Sequence, residues 1–256
     1  MAGDFYVQLD QPPGVPPLEL TGERTLPDVP AENYWYQRHL VVYEWIADRV
    51  AGKRVLEMAC GEGYGANLLA GVAQAVHAVD ANPEAYEHAR LRYIRPNLTF
   101  ERGLVEELGE PGAYDAISFL QTIEHVFHPD QVLQHFKSLL APGGTAYITT
   151  PNLVTLAGPG AEKSENPWHI KEYRAADFRE LCESVFGSVE VYGIFHARKL
   201  RLHELAIKFG WDEVHKRLRV TKLFYDRFTP AIATSDFAIE QRDLDASLDF
   251  LAVCRA

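Results

Sequence analysis

The chain reads as an α/β protein, a doubly wound and mostly parallel sheet with helices on both faces. Three observations predict it. From Arg54 to Thr149, short apolar runs alternate with helical stretches, the pattern of a parallel sheet with crossover helices of ~10–15 residues. A glycine-rich turn follows the first apolar run directly, and two further apolar runs near the end flank a helical insertion.

The elements follow in order. Pro12, Pro13, Pro16, Pro17, Pro27 and Pro30 fill the first thirty residues. Proline fixes φ and removes a donor, so this arm is expected to be extended. From Asn33 the pattern changes: Tyr36, His39, Leu40, Tyr43 and Ala47 recur at helical spacing, beside Val42, Ile46 and Val50. Arg54–Ala59 is the first strand and Ala66–Val72 its helix; Ala75–Val79 is the second strand and Pro83–Tyr93 its helix. Leu98–Phe100 and Ala116–Leu120 give the third and fourth strands. Val132, Leu133, Phe136, Leu139 and Leu140 form one helical stripe, which Pro142-Gly143-Gly144 is expected to stop before a fifth strand at Thr145–Thr149. Asp177–Val185 reads as a helix, and Val189–Phe195 and Leu248–Cys254 as late strands that add an antiparallel edge. Between Arg198 and Arg227 lie nine Lys/Arg against four Asp/Glu. Two readings fit this segment: a solvated helical face, or a cap that meets an anionic acceptor.

Composition narrows the function classes. At 256 residues the chain suits one domain with an elaboration, and 47% apolar with 24% charged residues is globular. Acids outnumber bases by 36 to 25, for a net charge of −11, which opposes a broad nucleic-acid or anionic-membrane face. Cys60, Cys182 and Cys254 form no CxxC pair, so neither a disulfide framework nor a structural zinc is expected. No apolar run approaches the ~18 residues that span a bilayer, and the N-terminus lacks a basic start followed by an apolar stretch. The expectation is a soluble cytoplasmic protein. A homodimer is the assembly expected, although no residue pattern marks it.

The sharpest motif is VLEMACGEGYG, Val55 to Gly65. It lies between the first strand and first helix, where open α/β sheets bind ligands. Gly61 and Gly63 allow a tight turn and close approach of a ligand. The spacing Gly61-x-Gly63-x-x-Ala66, with Asp80 downstream, also satisfies the dinucleotide fingerprint, so spacing alone leaves NAD(P) open. Glu57 at the strand end and Glu62 in the loop would repel a pyrophosphate. Both suit a cationic ligand, and S-adenosylmethionine carries a sulfonium and an ammonium without any phosphate. Asp80, ending the second strand, is placed to accept bonds from ribose hydroxyls.

With these residues in view, VLEMACGEGYG, AVDANPEA, YDAISFLQTIEHV and LLAPGGTAYITTPN resemble the ordered motifs of class I S-adenosylmethionine-dependent methyltransferases, from about Tyr34 onward. The resemblance implies a Rossmann-like, seven-stranded sheet with an antiparallel last strand. It divides the chain into an arm and lid helix over 1–50 and a methyltransferase domain over 51–256, with a helical insertion at about 196–246. Cofactor contacts are implied at Glu57, Ala59, Gly61, Gly63, Asp80, Ala81 and Gln121. Ala59 stands where the family usually has glycine. Leu104 replaces an acid that many members place near the adenine amino group, so the Val105 backbone is the expected rest for adenine. TGERTLPDVPAENYWYQRHLVVY, NPWHIKE, IFHARKLR and TSDFAIEQRDLDASLDFLAV resemble a methyltransferase linked with methylglucose lipopolysaccharide biosynthesis, which implies a sugar hydroxyl as acceptor.

Methyl transfer to an alcohol requires alignment of the nucleophile and removal of its proton. Histidine is the usual base, because its pKa lies near neutrality. His125, after the fourth strand, is the first candidate, with Glu124 as its orienter; His169, in the loop after the fifth strand, is the second. Glu124, His125, His128 and His169 have ligand chemistry, but no spacing such as HExxH supports a metal, and none is expected. Arg38 or His39, as a cation, is expected near the methionine carboxylate, with the helix that carries them closing over the cofactor. The function expected is methyl transfer to a hydroxyl of a sugar or polysaccharide, with no nucleic-acid or membrane partner. The alternatives are an N- or O-methyltransferase of a small natural product, a non-catalytic cofactor-binding partner subunit, and an NAD(P)-dependent oxidoreductase.

Overall fold

The structure is a computed structural model that describes residues 5–8, 11–22, 24–104, 110–158, 160–218 and 220–256. The arm is extended, as its prolines require: β1 (Phe5–Tyr6) pairs antiparallel with β2 (Leu18–Glu19). Leu18, Leu26 and Val29 bury a small core of their own there. After α1 (Asn33–Ala47) come β3 (Arg54–Met58), α2 (Tyr64–Leu69), β4 (Ala75–Asp80), α3 (Pro83–Arg92), β5 (Leu98–Arg102) and β6 (Tyr114–Phe119). Pro83 opens α3 and the Asn82 side chain accepts from the Glu84 and Ala85 amides, so the start of this helix is written locally. A short turn at Ile123–His125 leads to α4 (Pro129–Leu139) and β7 (Leu140–Pro151). Next come α5 (Leu153–Ala157), α6 (Ala175–Glu183) and β8 (Ser188–His196). The insertion folds as α7 (Arg198–Lys208), α8 (Trp211–Leu218) and α9 (Thr221–Phe228), and β9 (Phe237–Glu240) and β10 (Asp249–Arg255) complete the sheet.

The main sheet has eight strands in the order β5-β4-β3-β6-β7-β10-β8-β9. The first five are parallel, β10 is antiparallel to both β7 and β8, and β9 is antiparallel to β8. The sheet therefore has one strand more than the seven expected. The extra strand, β9, is four residues long and lies inside the segment read as insertion. So short a run gives little period-2 signal. Pro142-Gly143-Gly144 also differs from expectation, since it lies within β7. Tyr114 pairs Leu140 and Ala116 pairs Thr145, so the intervening residues form an irregularity, with Gly143 at φ +76°.

The pleat sends alternate side chains of β3 and β6 to opposite layers. Leu56, Met58, Ile117 and Phe119 join α4 and α6 in one core, which includes Leu133, Phe136 and Phe178. Val55 and Ala116 join α1 and α2 in the other, with Val42, Tyr43, Ile46 and Leu69. The chain winds outward from β3 to β5 and returns to β6 beside β3. The crevice at the carboxyl ends of β3 and β6 is thus the switch point at which such sheets bind ligands.

Candidate active site

At this crevice the glycine turn is tight. The Cys60 amide donates to the Val79 carbonyl and the Gly63 amide to the Cys60 carbonyl. Gly61 has φ +57° and Gly63, which caps α2, has φ +95°. A Cβ on Gly63 would lie 2.8 Å from Ala89 Cβ, so only glycine fits. Ala59 also has φ +56°. An L-residue in this region costs roughly 1–2 kcal/mol, so the alanine stores strain that glycine would not.

A cavity of about 490 Å³ opens over the turn, lined by Ala59, Gly61, Asp80, Gln121 and His125 among others. A second, of about 520 Å³, shares Ala59, Asp80, Thr122 and His125 with it and extends along Met58, Ala81, Leu104 and Val126. Val105, where adenine contact was expected, lies outside the described residues. Gln121 is held at φ +49° by its amide and its side-chain Nε2, both donating to Thr149 Oγ1 at 3.0 and 3.1 Å.

Three carboxylates surround the turn with different surroundings. Asp80 accepts from the Gly61 amide at 2.7 Å and the Asn82 amide at 2.8 Å, which locks it to the glycine turn while it lines both cavities. Glu57 is buried on the α1 side of β3: Oε1 accepts from the Tyr43 hydroxyl at 2.6 Å, and Oε2 has no partner among the described residues. Burial raises its pKa to about 8, the Tyr43 bond opposing and the nearby Asp80 charge adding. Glu62 is different. Its carboxylate receives bonds from Gln8 Nε2, His88 Nε2, the Tyr93 hydroxyl and Arg92 Nε. Its charge is thus compensated within the protein, so the repulsion of a pyrophosphate expected from it is largely cancelled.

Glu62 also anchors the arm, together with the bond between His88 Nδ1 and the Pro16 carbonyl. The arm then delivers Thr21, Arg24 and Thr25 to the cavity wall. Arg24 rests against Gly61, its Cγ 3.7 Å from where a Cβ would lie, and meets no acid among the described residues. The sequence reading passed over this cation. Its only signal was a lone arginine in a proline-rich arm whose neighbouring charges, Glu19, Glu23 and Asp28, are all acidic.

Arg38 corrects an expectation. It is buried, its Nε and Nη2 clamp the Asp249 carboxylate, and Nη2 also donates to the Leu248 carbonyl at 2.9 Å. The guanidinium faces β10, 211 residues away in sequence, and does not line the cavity. His39 does line it, beside Thr25 Oγ1 at 3.4 Å. However, burial and then the Arg38 charge take its pKa down to about 4 against the pull of Asp249. It is neutral at pH 7, not the cation expected.

Glu124, His125 and His169 come together, with ligand atoms within 4.8 Å of one another. His125 lines the cavity, and its Nδ1 lies 3.0 Å from the Trp168 carbonyl. A carbonyl only accepts, so this contact places the proton on Nδ1 and makes Nε2 the basic nitrogen. The Trp168 carbonyl thus orients His125, a contact the sequence did not suggest, with the Glu124 carboxylate within 4.8 Å of its ring. The buried Glu124 carboxylate accepts from Thr150 Oγ1 at 3.0 Å, and its backbone carbonyl receives the Ile170 and Lys171 amides. His169 is buried behind His125, ring centroids 5.0 Å apart, with Nδ1 2.6 Å from Glu172 Oε1 and Nε2 3.0 Å from Asn166 Nδ2. His128 lines only the second cavity.

The family described as a methyltransferase domain matches residues 34–205. A probable S-adenosylmethionine-dependent methyltransferase of Mycolicibacterium smegmatis is 38% identical over 247 residues, covering 92% of this chain and 94% of its own length. The chain belongs to the S-adenosylmethionine-dependent methyltransferases. A ubiquinone biosynthesis O-methyltransferase of Xanthomonas campestris is 35% identical over 129 residues, covering 46% of this chain and 54% of that one. Among solved structures, an S-adenosylmethionine-dependent methyltransferase of Thermotoga maritima, titled a possible histamine N-methyltransferase, shares the fold at a TM-score of 0.59. It is 13% identical and covers 88% of this chain and 94% of its own.

The methyltransferase's own atoms fit this cofactor. Glu57 Oε2 is a buried acceptor that lacks a donor, beside the cavity residue Tyr43. A buried polar atom left unmatched is costly, and an ammonium would supply what it lacks. Asp80 retains lone pairs for hydroxyl donors, and Arg24 offers a guanidinium to a carboxylate.

Proposed function

We propose that this methyltransferase acts on a hydroxyl of a carbohydrate, or of a similarly polyhydroxylated acceptor. Glu57 takes the cofactor's ammonium, Arg24 its carboxylate, Asp80 the ribose hydroxyls, and the strip along Met58, Ala81 and Leu104 its adenine. The cofactor supplies a methyl group on a sulfonium. The protein's part is to hold the acceptor oxygen in line and to accept its proton, and His125 Nε2 is the group for the second task. The observation that carries the reading is the pairing of this base with Trp168 on the same wall: Trp168 is 64% exposed while lining the cavity. A flat, accessible aromatic face beside a proton acceptor suits the apolar face of a sugar ring whose hydroxyls point past its edge. The name of the Xanthomonas relative, an O-methyltransferase, agrees with oxygen as the acceptor atom.

The test is transfer of label from methyl-labelled cofactor to glucosides, mannosides and their oligosaccharides. Label in a sugar hydroxyl, lost in Trp168→Ala and His125→Ala with S-adenosylhomocysteine binding intact, supports the reading. No label in any sugar overturns the acceptor, and binding of NADH in place of S-adenosylhomocysteine overturns the cofactor assignment. The convergence of Glu124, His125 and His169 favours a second reading, in which the three hold a divalent cation that lowers the pKa of the acceptor hydroxyl. Chelation then abolishes turnover and Mn²⁺ restores it, whereas a histidine base is indifferent to chelator.

A further inference from the structure

We infer that the helical insertion docks the enzyme on an anionic lipid surface. Helix α7 and its C-cap leave Leu202, Leu205 and Phe209 exposed at i, i+3 and i+7, and α8 repeats the spacing with Trp211, Val214 and Leu218. These are not marginal exposures: Phe209 is 89%, Leu202 70% and Leu218 63% accessible. A helix that packs one side into a protein turns its apolar stripe inward, and here the inner sides are filled by other residues. Leu200 is buried against the body, and the rings of His203, His215, Phe224 and Phe228 pack against one another. The exposed stripes are thus second apolar faces, and Leu223 on α9, 57% exposed, adds to them.

The charges select the occupant. Every lysine of the segment is matched: Lys199 with Asp236, Lys208 with Glu204, Lys216 with Glu213 and Lys222 with Asp226. Arg198, Arg201, Arg217 and Arg227 meet no acid among the described residues. The segment from Arg198 to Arg227 carries nine bases and four acids inside a chain of net charge −11, so the remainder stands at −16. The low overall charge, from which no membrane contact was expected, therefore conceals a segregated cationic end.

Exposed leucine and aromatic side chains interleaved with arginine suit the interface of a bilayer that contains anionic lipid. The guanidinium forks meet phosphate oxygens, and the apolar side chains enter the acyl boundary. A second copy of the chain fits less well: a two-fold contact would set the arginines against themselves, and a contact with the acidic remainder would be head-to-tail. β8 runs parallel to β7, since both are antiparallel to β10, so the insertion leaves the sheet at the carboxyl edge where the cavity opens. Docking through it therefore holds the cavity's end of the molecule toward the lipid. The inference does not depend on which acceptor is methylated.

The test is co-sedimentation of the full chain with phosphatidylcholine vesicles, with and without phosphatidylglycerol, at low and high salt. Binding is expected only with phosphatidylglycerol, weakened by salt, and reduced about fivefold for each arginine neutralised in Arg201→Gln and Arg217→Gln. Leu202→Ser/Phe209→Ser should remove it while S-adenosylhomocysteine binding stays as in the wild type, which shows that the fold is intact. Failure to sediment with anionic vesicles overturns the inference, as does equal binding to neutral ones. Light scattering that shows a dimer broken by Leu202→Ser/Phe209→Ser overturns it in favour of a self-interface.

Discussion

Binding of the cofactor should expel a proton from Glu57. With a pKa raised to about 8 by burial, the carboxyl is mostly protonated at neutral pH, yet it must be ionised to hold an ammonium. The ionised fraction rises from about 3% at pH 6.5 to about 24% at pH 7.5, and with the partial loss of the cofactor's ammonium over the same unit affinity should tighten roughly sixfold, about 1 kcal/mol. Above about pH 8 the trend should level off, because the cofactor's own amino group loses its charge there. The sign for folding is opposite. A carboxyl whose folded pKa exceeds its unfolded value contributes stability at low pH that is lost as pH rises through the folded value, so the cofactor-free protein should weaken from about pH 4.5 toward pH 8. Titration calorimetry at pH 6.5, in two buffers of different ionisation enthalpy, should count about one proton released per cofactor bound. Glu57→Gln should bind more weakly and show no slope. A wild type that releases no proton, or a Glu57→Gln variant that keeps the slope, would refute the assignment.

Arg38→Ala should leave cofactor affinity within twofold of the wild type but lower stability by about 3–5 kcal/mol in urea unfolding, because it strands the buried Asp249. A large loss of affinity in protein shown to be folded would restore Arg38 to the cofactor site. Arg24→Ala should do the reverse, weakening cofactor binding by a factor on the order of ten with unfolding unchanged, because it removes a charged hydrogen bond at the cavity wall. Glu62→Ala should free the arm. Hydrogen exchange should rise over residues 11–22, and cofactor affinity should fall because Thr21, Arg24 and Thr25 lose their support; an arm that stays protected would show that the Glu62 bonds are dispensable. Ala59→Gly should raise the melting temperature by about 2–4 °C, the equivalent of ~1 kcal/mol in a chain of this size, and a fall would mean that the Ala59 backbone is not strained.

The legible parts of this protein are those written in local spacing. The β3 and β4 cores, the Asn82-Pro83 helix start and the apolar stripe of α4 follow from adjacent residues, and their observed bounds lie within a residue or two of those read from sequence. The glycine turn is legible for the same reason, since φ > 0 and close approach admit few residue types. β9 and the run of β7 through Pro142-Gly143-Gly144 were not legible, because pairing with β8 and β6 decides them rather than their own pattern.

At the site the division is sharper. The sequence alone settled that a glycine turn, an acid at the end of β3 and an acid at the end of β4 would meet at one crevice, because strand ends in a parallel sheet leave them nowhere else. Tertiary structure decided what each charge does there. Arg38 is claimed by an acid near the far end of the chain, His39 loses its proton through burial, Glu62 is compensated by an arm and a helix, and Arg24 reaches the cavity because that arm folds back. Periodicity reports which face of an element is buried. Whether a charge is available depends on the partner and the dielectric that folding brings to it, and those come from residues too distant in the chain for any local pattern to register.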